Sequence, residues 1–261
     1  MNGPTAALII IGNEILSGRT QDTNTPWIGV HLAAHGVMLG EVRVIPDDRD
    51  IIINTVNELR AKFDNVLTTG GIGPTHDDIT AEAIAAAFGI DLVRNEDAVD
   101  MLVSHLKSQS QLSPARLKMC MIPEGATLIA NPVSGAPGFT IENVHVMAGV
   151  PDIMHAMLDD VLATLPGGPP MLSQTILCTL TESAVADGLT ALQDAHPDVQ
   201  IGSYPHFRAG KMGLSLVLRG PDEKRLEQVS AALIALIKDL GGEPQSPETP
   251  AGGPQSPQAP N

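Results

Sequence analysis

The sequence predicts an α/β protein in which a mostly parallel sheet lies between two layers of helices and is followed by a small α+β domain. Two observations predict this arrangement. Short apolar runs alternate with helical patterns through residues 6–165, which is typical of a parallel sheet with helices on both faces. The run Leu165-Pro166-Gly167-Gly168-Pro169-Pro170 then breaks every regular pattern and indicates a linker. We therefore place one domain at residues 4–165 and a second at residues 171–242.

The first domain is predicted element by element from its periodicity. Short apolar, β-branched runs predict strands at 6–11, 38–44, 65–68 and 145–148. Helical patterns between and after them predict helices at 25–35, 49–63, 80–88, 95–109 and 151–165. In sheets of this type, ligands bind outside the carboxyl ends of the strands. The loops at 12–18, 70–78 and 149–152 should therefore converge into one site.

The second domain is predicted to contain a strand at 173–180, a helix at 183–195, a hairpin at 199–218 and a helix at 223–240. The segment from Gly210 to Gly213 has the G-x-x-G spacing that binds RNA in KH domains. It falls between two predicted strands instead of two helices, so we interpret it as a hairpin turn. Residues 243–261 are dominated by Pro, Gln, Ser and Gly, which predicts a disordered tail.

Composition excludes several classes of partner and location. The 261 residues include 15 basic and 30 acidic side chains, and the formal charge of −15 repels nucleic acid and anionic lipid surfaces. No stretch approaches the ~18 apolar residues of a membrane span, and no secretory signal pattern begins the chain. Cys120 and Cys178 are expected to be buried free thiols in a reducing compartment. We therefore expect a cytoplasmic protein that binds neither nucleic acid nor membranes.

The strongest functional signal is a glycine-rich loop between a predicted strand and a predicted helix. The strand at 65–68 runs into Thr69, Gly70, Gly71 and Gly73. Glycines allow positive φ and bring backbone N–H groups close to anionic oxygens, which a Cβ would hinder. The helix at 80–88 follows directly, so its positive dipole end faces the same loop. The segment therefore predicts a site for a phosphorylated ligand.

Asp77 and Asp78, in the same loop, predict a divalent cation. Two carboxylates beside a phosphate would repel it unless a cation lay between them, and Mg²⁺-type ions are commonly held by one or two carboxylates plus phosphate oxygens. A second interpretation stays open, in which one aspartate or Thr80 caps the helix and the other aspartate is solvated. His76 either forms hydrogen bonds within the loop or donates a proton to a leaving phosphate.

Several common catalytic and nucleotide-binding motifs are excluded. The spacing of Gly71, Gly73 and His76 lacks the third glycine of a dinucleotide fingerprint. No Gly-Lys-Ser/Thr sequence occurs, which excludes a P-loop. Neither a Gly-x-Ser-x-Gly elbow nor a cysteine with a matched histidine occurs, which disfavours covalent catalysis.

The run from Thr69 to Glu82 resembles the signature of the molybdopterin-binding MoaB/Mog-like domain family, in the form found in the N-terminal half of CinA proteins and in the front domain of eukaryotic FAD synthases. Residues 12–18 and 22–24 resemble that family's first loop. Its later loops are resembled by 123–126, Asn131, Gly135, 137–138 and 149–151. Residues 201–205 fit the KH-type domain that follows in CinA proteins. The resemblance covers about nine-tenths of the chain in the right order, which makes it far more specific than a lone motif.

The converging loops supply the other candidate residues. Ligand contacts are expected from Thr69 and Thr75 beside the loop glycines, and from a further group outside that loop: Gly12, Asn13, Asp22, Asn24, Gly149 and Pro151. The residues Asp22, Thr23 and Asn24 have helix capping as their alternative role. Glu14 either joins the two aspartates around the cation or is a solvated loop acid. Where the resembling family usually reads Gly-Val-Pro-x-Glu-Met, this chain has Ile153. If that glutamate contributes to chemistry, either Asp152 substitutes from the adjacent position or the activity is altered.

The resemblance implies a metal-dependent hydrolase of nucleotide pyrophosphates, with ADP-ribose as the expected substrate. Asp77 and Asp78, with Glu14, would hold Mg²⁺, Mn²⁺ or Co²⁺, and water would be the nucleophile. The alternative is a molybdopterin-binding protein of molybdenum cofactor biosynthesis without hydrolase activity, and a third is a catalytically idle regulatory module. A homodimer is expected by resemblance. Long members of the family continue into a deamidase domain that these 261 residues do not contain, so we expect that activity to be absent.

Overall fold

The computed structural model describes residues 3–106, 112–208 and 211–245, and the chain divides into two compact units between Pro170 and Met171. The strands of the first unit are β1 Thr5–Ile11, β2 Met38–Ile45, β3 Asn65–Thr69, β4 Leu92–Arg94, β5 Met121–Pro123, β6 Thr127–Ile129, β7 Gly138–Ile141 and β8 Val144–Met147. Its helices are α1 Asn13–Leu16, α2 Asn24–Ala34, α3 Arg49–Lys62, α4 Thr80–Phe88, α5 Glu96–His105, α6 Pro114–Lys118 and α7 Pro151–Thr164. Of these elements in the described part of the chain, five of the seven helices and four of the eight strands correspond to predicted elements.

A six-stranded sheet with the order β2-β1-β3-β8-β7-β6 forms the centre of the first unit. The pairs among β2, β1, β3 and β8 are parallel, whereas β7 pairs antiparallel with both β8 and β6. This confirms the predicted mostly parallel sheet. The short antiparallel strands β6 and β7 were not predicted, because three or four residues give too little periodicity to identify a strand.

Alternation along the central strands divides the core into two layers. On β1, Ile9 packs in the cluster that includes Ile52 of α3 and Ile84 of α4. Its neighbour Leu8 points to the opposite face and packs with Ile28 of α2 and with α7. Because both faces of the strand are covered, β1 reads in the sequence as a continuous apolar run.

Helix ends follow the chemistry of their terminal residues. α3 begins where the Asp48 carboxylate accepts hydrogen bonds from the backbone N–H groups of Asp50 and Ile51. α4 spans the predicted residues and ends at Gly89, whose φ of +66° is the left-handed conformation that terminates many helices. α5 ends at His105, where the backbone of Leu106 turns extended, and residues 107–109 of the predicted helix lie outside the described residues.

The second unit contains β9 Leu172–Cys178, α8 Glu182–Ala195, β10 Gln200–Arg208, β11 Lys211–Gly220 and α9 Glu223–Asp239. The strands form an antiparallel sheet with the order β10-β11-β9. Its core includes Leu216 of β11, Val185 of α8 and Leu233 of α9. This is the predicted strand, helix, hairpin and helix, and the hairpin supports the interpretation of the G-x-x-G segment, although turn residues 209–210 lie outside the described residues.

The predicted linker and tail are more firmly attached than their composition suggests. The Gly168 N–H donates to the carbonyl oxygen of His35 at 3.1 Å, which fixes the middle of the linker against the end of α2. The backbone of Gln245 exchanges two hydrogen bonds of 2.8 Å with Leu177 of β9, so this residue, which was predicted to belong to the disordered tail, is attached to the sheet. Residues 246–261 lie outside the described residues. Within the described ranges, no helix combines the length and apolar character needed to cross a membrane.

Candidate functional site

The loops after β1, β3 and β8 meet at the carboxyl edge of the central sheet. The Gly70 N–H donates to the Met147 carbonyl oxygen at 3.1 Å, which joins the ends of β3 and β8. A Cβ at Gly70 would lie 2.1 Å from the Ile11 carbonyl oxygen, and one at Gly149 would lie 3.2 Å from the Cα of Gly70. The three loops that the sequence predicts to converge are therefore in backbone contact. Only glycine allows this approach at position 70, because φ there is +105°.

The glycine loop is folded back onto the start of α4. Gly71 has a φ of +69°, and its carbonyl oxygen accepts a hydrogen bond of 3.0 Å from the Thr80 N–H. The buried Thr80 hydroxyl donates to the carbonyl oxygen of Gly70 at 2.9 Å. Gly73 differs from the expectation, since its φ is not positive. Its small size is required instead because a Cβ there would lie 2.7 Å from the Asp78 carboxylate.

Asp77 and Asp78 converge on one hydroxyl group. The Thr75 Oγ1 lies 2.6 Å from Asp77 Oδ1 and 2.5 Å from Asp78 Oδ2. A hydroxyl has one proton to donate, so one of these two carboxylate contacts has no hydrogen between the oxygens. The Thr75 N–H also donates to Asp78 Oδ2 at 2.8 Å. The loop therefore gathers carboxylate and hydroxyl oxygens into a small space without enough donors for all of them.

The capping interpretation of these aspartates does not describe this structure. The residue before α4 is Ile79, and no side chain caps the helix. The carboxylate of Asp78 binds Thr75 instead. A hydrogen bond from the Thr75 hydroxyl is the main cause that lowers the pKa of the Asp77 carboxyl below its usual range. The backbone N–H of Asp77 and the charges of His76 and Lys118 lower this pKa further. Asp77 therefore stays ionised over the whole neutral range.

Of the other two predicted ionisable site residues, His76 lies near the paired aspartates and Glu14 does not. His76 is 98% exposed and lies 3.9 Å from Asp77, so it forms the outer rim of the loop. Glu14 folds over Gly12 instead, where a Cβ would lie 2.5 Å from its carboxylate oxygen. Among residues 3–106, 112–208 and 211–245, no group of three or more His, Cys, Asp or Glu side chains is placed to hold a metal ion. The structure thus groups the two aspartates but does not bring Glu14 to them.

The first loop and the start of α2 complete the edge. Asp22 Oδ1 accepts from the N–H groups of Asn24 and Thr25 at 2.9 and 3.1 Å, which is the capping role that its sequence left open. Asn24 is buried, and its Nδ2 donates to the Gly149 carbonyl oxygen at 2.9 Å. Pro151 is the first residue of α7 and follows that same loop.

Several buried polar atoms at this edge have no hydrogen-bond partner within the part of the chain that the structure describes. They include the hydroxyl oxygens of Thr68 and Thr69, the last two residues of β3, and the Oδ1 of Asn24. These residues are 7% exposed or less. A buried polar atom without a partner costs about 1–3 kcal/mol, so such atoms at the ends of strands indicate a place where a polar ligand or water binds.

Sequence reasoning missed two residues of this region. Lys118, the last residue of α6, donates to the carbonyl oxygen of Thr75, but an isolated lysine gives no signal in the sequence. Asp47 accepts a hydrogen bond of 2.9 Å from the N–H of Asn13. This contact had a detectable signal, because Asp47 follows β2 at the same carboxyl edge of the sheet as the predicted loops.

A pocket of about 130 Å³ opens beside the glycine loop. Its polar lining includes Asp78, Lys118, His76 and Glu82. Its apolar lining comes from the loop, α4 and strands β4, β5 and β7 and includes Ile79, Ala81, Leu92, Met121 and Phe139. Asp78, one of the two paired aspartates, therefore lines a pocket whose other walls are largely apolar.

Comparisons with known proteins divide the chain in a similar way. A family model described as "Probable molybdopterin binding domain" matches residues 7–167. A second model, described as "FAD synthase, middle domain", matches residues 170–241. Both the central sheet with its loops and the small antiparallel unit thus have known relatives.

Individual relatives extend over most of the chain. A protein from Archaeoglobus fulgidus is 34% identical over 233 residues, which cover 89% of this chain and 97% of the relative. A CinA-like protein from Desulfosudis oleivorans is 32% identical over 250 residues, 91% of this chain but only 60% of the relative. The crystal structure of CinA from Thermoplasma acidophilum, a protein described as having unknown function, has 40% sequence identity and a TM-score of 0.55, and the match covers 59% of this chain and 94% of that one.

Proposed function

This chain belongs to the family of probable molybdopterin-binding domains and has CinA-like relatives, and from that premise we propose that it is a metal-dependent hydrolase that cleaves the pyrophosphate of a nucleotide such as ADP-ribose. The observation that carries the proposal is the convergence of Asp77 and Asp78 on Thr75 beside the glycine loop. Neither carboxylate caps a helix, so their pairing has no structural role of that kind.

The residues of the loop fit a hard divalent cation. Mg²⁺ and similar ions prefer carboxylate and hydroxyl oxygens and are commonly bound by one or two carboxylates together with phosphate oxygens. Asp77, Asp78 and Thr75 supply such oxygens, and they share too few hydrogen-bond donors among themselves. A cation bound by these residues would neutralise phosphate charge in the transition state. Two protein carboxylates with phosphate oxygens are sufficient for such an ion, so the separate position of Glu14 does not weaken the fit.

The chain's own groups would bind and orient the diphosphate. The backbone N–H groups of the loop, around Gly71 and Gly73, would donate to phosphoryl oxygens, and the positive end of α4 would stabilise the same charge. The unpaired hydroxyl of Thr69 and the amide oxygen of Asn24 would gain partners on the ligand or its bound water. Water would then attack one phosphorus, and the bridging oxygen would leave with the other phosphate. From ADP-ribose the products are AMP and ribose 5-phosphate.

In this proposal His76 is a candidate proton donor to the leaving phosphate. Its side chain is almost fully exposed at the rim of the loop, where it could reach the leaving phosphate of a bound ligand. Proton donation by His76 stays a prediction, and His76→Gln tests it. A proton donor must be protonated to act, so loss of the fall in rate at high pH would support the role, and an unchanged profile would exclude it.

A second candidate function is the binding of molybdopterin, or of its adenylylated form, without hydrolysis. Two observations favour it: the family model that matches residues 7–167 describes molybdopterin binding, and Ile153 stands where the resembling family usually has glutamate. Ile153 packs against the apolar cluster beneath α7, and the neighbouring Asp152 is exposed. If a glutamate at that position is needed for chemistry, this chain would bind the ligand and release it unchanged.

One experiment separates the two functions. The purified full chain is incubated with ADP-ribose, with FAD and with a molybdopterin mimic, each with Mg²⁺, Mn²⁺ or Co²⁺ and with chelator instead. We expect AMP release from ADP-ribose only when metal is present. Metal-independent binding without AMP release would reject the hydrolase and favour the binding protein.

A matched pair of variants tests the role of the paired carboxylates. Asp78→Asn should lose about as much turnover as chelation of the metal does, because both leave the site without its bound cation. Asp187→Asn, an exposed aspartate on α8 of the second unit, is the control and should keep full activity. A mild loss in Asp78→Asn would show that this carboxylate only orders the loop around Thr75. The expected homodimer is a separate prediction, which light scattering tests.

A further inference from the structure

The three-stranded sheet of the second unit has one face packed against α8 and α9 and an opposite face that neither helix covers. The buried side chains of β11 and β9, such as Leu216 and Ile176, point toward the helices. Side chains alternate along a strand, so the residues between them point away. Among these, Tyr204 of β10, Ser215 of β11 and Leu177 of β9 lie directly opposite one another. We call this surface the outer sheet face, and its positions are every second residue of 173–177, 200–208 and 211–219.

The outer sheet face differs in charge from the rest of the chain. In the strand register that the structure describes, its positions hold Arg208, Lys211 and Arg219 and no aspartate or glutamate. Residues 171–242 as a whole contain eight acidic and six basic side chains, so the acidic ones of this unit lie elsewhere. The expectation that the protein avoids nucleic acid rests on its net charge of −15. Exposed charges more than about 10 Å away are largely screened in about 0.1 M salt, so an anion on this face would respond mainly to the basic residues there.

Two rings lie along the outer sheet face above glycines. A Cβ at Gly202 would lie 2.8 Å from the phenol oxygen of Tyr204, and one at Gly213 would lie 2.8 Å from Nε2 of His206. The Nδ1 of His206 is 3.0 Å from the Ser215 hydroxyl, and this hydrogen bond orients the ring. The side chain of Tyr204 is 51% exposed. The glycines therefore allow both rings to lie close to the sheet, and the Tyr204 ring is open to a stacking partner.

We propose that the outer sheet face of the second unit binds single-stranded nucleic acid, with a base stacked on Tyr204 and backbone phosphates near Arg219. Aromatic rings combined with positive charge suit a single strand, because every unpaired base offers a π face and every nucleotide a phosphate. A duplex keeps its bases stacked on one another, so it can use only the charge. An acidic protein surface can also use the charge but gains nothing specific from the rings. The inference does not depend on the proposed hydrolase.

Fluorescence anisotropy with the full chain tests the proposal. The probes are labelled oligouridine and oligodeoxythymidine of about 12 nucleotides, which is within the usual length of a single-strand site, and a duplex of the same length. At least one single strand should bind about tenfold or more tightly than the duplex. The tighter of the two strands identifies the preferred sugar, and either preference supports the proposal. Excess ADP-ribose should not displace the strand.

A pair of substitutions on β10 tests the stacking. Tyr204→Ala should weaken single-strand binding by about tenfold, whereas Tyr204→Phe keeps the ring and should bind as the wild type does. Phe207→Ala is the matched control, because Phe207 lies on the same strand, is 71% exposed and points to the opposite face. It should bind as the wild type does. All three side chains are replaced at exposed sites, and circular dichroism checks that each variant is folded.

A second pair of substitutions tests the charge. Arg219 is exposed on β11, and Arg219→Gln should lower the slope of log affinity against log salt concentration by about 0.7, the value for one phosphate contact to a single strand. Lys224→Gln removes the same charge from an exposed position on α9 and should leave the slope unchanged.

Several results would overturn the inference. Absence of single-strand binding at low salt rejects it outright. Equal binding of strand and duplex, displacement by polyphosphate as readily as by unlabelled oligonucleotide, or wild-type affinity in Tyr204→Ala would reduce the face to a contact for any polyanion. Displacement by ADP-ribose would assign the strand to the glycine loop of the first unit instead. Strand binding without AMP release from ADP-ribose would support this inference and reject the hydrolase, and the reverse result would reject this inference alone.

Discussion

Burial of His145 should make the stability of the first unit fall steeply in mild acid. His145 lies on β8 and is 6% exposed. Its Nδ1 is 3.0 Å from the Thr140 hydroxyl, and its Nε2 is 3.4 Å from the side-chain oxygen of Asn65. No carboxylate contributes to its titration, and burial alone lowers the pKa of the imidazole from 6.5 to about 4. The folded protein therefore holds this histidine neutral.

The magnitude follows from the difference between the folded and unfolded pKa values. The unfolded chain takes up a proton near pH 6.5 and the folded chain only near pH 4, so stability is complete above pH 6.5 and is lost as the pH falls toward 4. The difference of 6.5 − 4 = 2.5 units corresponds to a limit of about 3.4 kcal/mol. Between pH 7.5 and pH 5 the loss from this residue should be about 2 kcal/mol.

Urea unfolding at these two pH values measures the effect, with fluorescence of the single tryptophan, Trp27, reporting on the first unit. His145→Gln cannot take up the proton, so its free energy of unfolding should fall by about 2 kcal/mol less than that of the wild type over this range. His76→Gln, at an exposed site, should behave as the wild type. Equal acid losses in His145→Gln and the wild type would refute the reasoning.

Three further substitutions test the local structure around the site. Gly71→Ala places a Cβ 2.1 Å from the Thr80 hydroxyl at a φ of +69°, so the free energy of unfolding in urea should fall by at least about 2 kcal/mol. Gly89→Ala has a similar φ but open space around the new Cβ, so the same free energy should fall by only about 1 kcal/mol. Equal costs would mean that the loop relaxes. Thr80→Val leaves the Gly70 carbonyl without its 2.9 Å donor and should destabilise by about 1–3 kcal/mol in the same assay; a neutral result would contradict that hydrogen bond. Asp48→Ala removes the cap of α3 and should cost about 1 kcal/mol, with a loss of helical circular dichroism on heating, and an unchanged melting temperature would show that the cap is not needed.

Most of the architecture was predictable because the central strands are buried on both faces. Such strands read as apolar runs, and the helices between them carry clear start and stop residues, as Asp48 and Gly89 show. The antiparallel strands β6 and β7 were not predictable, since their pairing with β8 is a long-range choice that three or four residues do not encode locally. The attachment of Gln245 to β9 was missed for the same reason, because it depends on a strand edge far away in the sequence.

Some features of the candidate site could likewise be predicted from the sequence and others could not. The glycine loop was recognisable, since positions 70 and 71 require conformations that other residues rarely adopt. The helix-cap alternative for Asp78 could not be decided from the sequence, because a carboxylate three residues from Thr75 can bind that residue or the helix end with similar ease. Lys118 came from a distant segment, and only the packing of α6 against the loop brings its side chain to Thr75.

The sequence alone determined the order of elements, the position of the phosphate-type loop and the identity of its two acidic side chains. Local sterics and hydrophobic periodicity act over a few residues, so their effects can be predicted from the local sequence. Tertiary structure alone decided that the two carboxylates meet on one hydroxyl, that Glu14 stays apart from them and that an apolar pocket adjoins the loop. These features depend on distances between segments up to about 70 residues apart, which are fixed only when both faces of the sheet are packed.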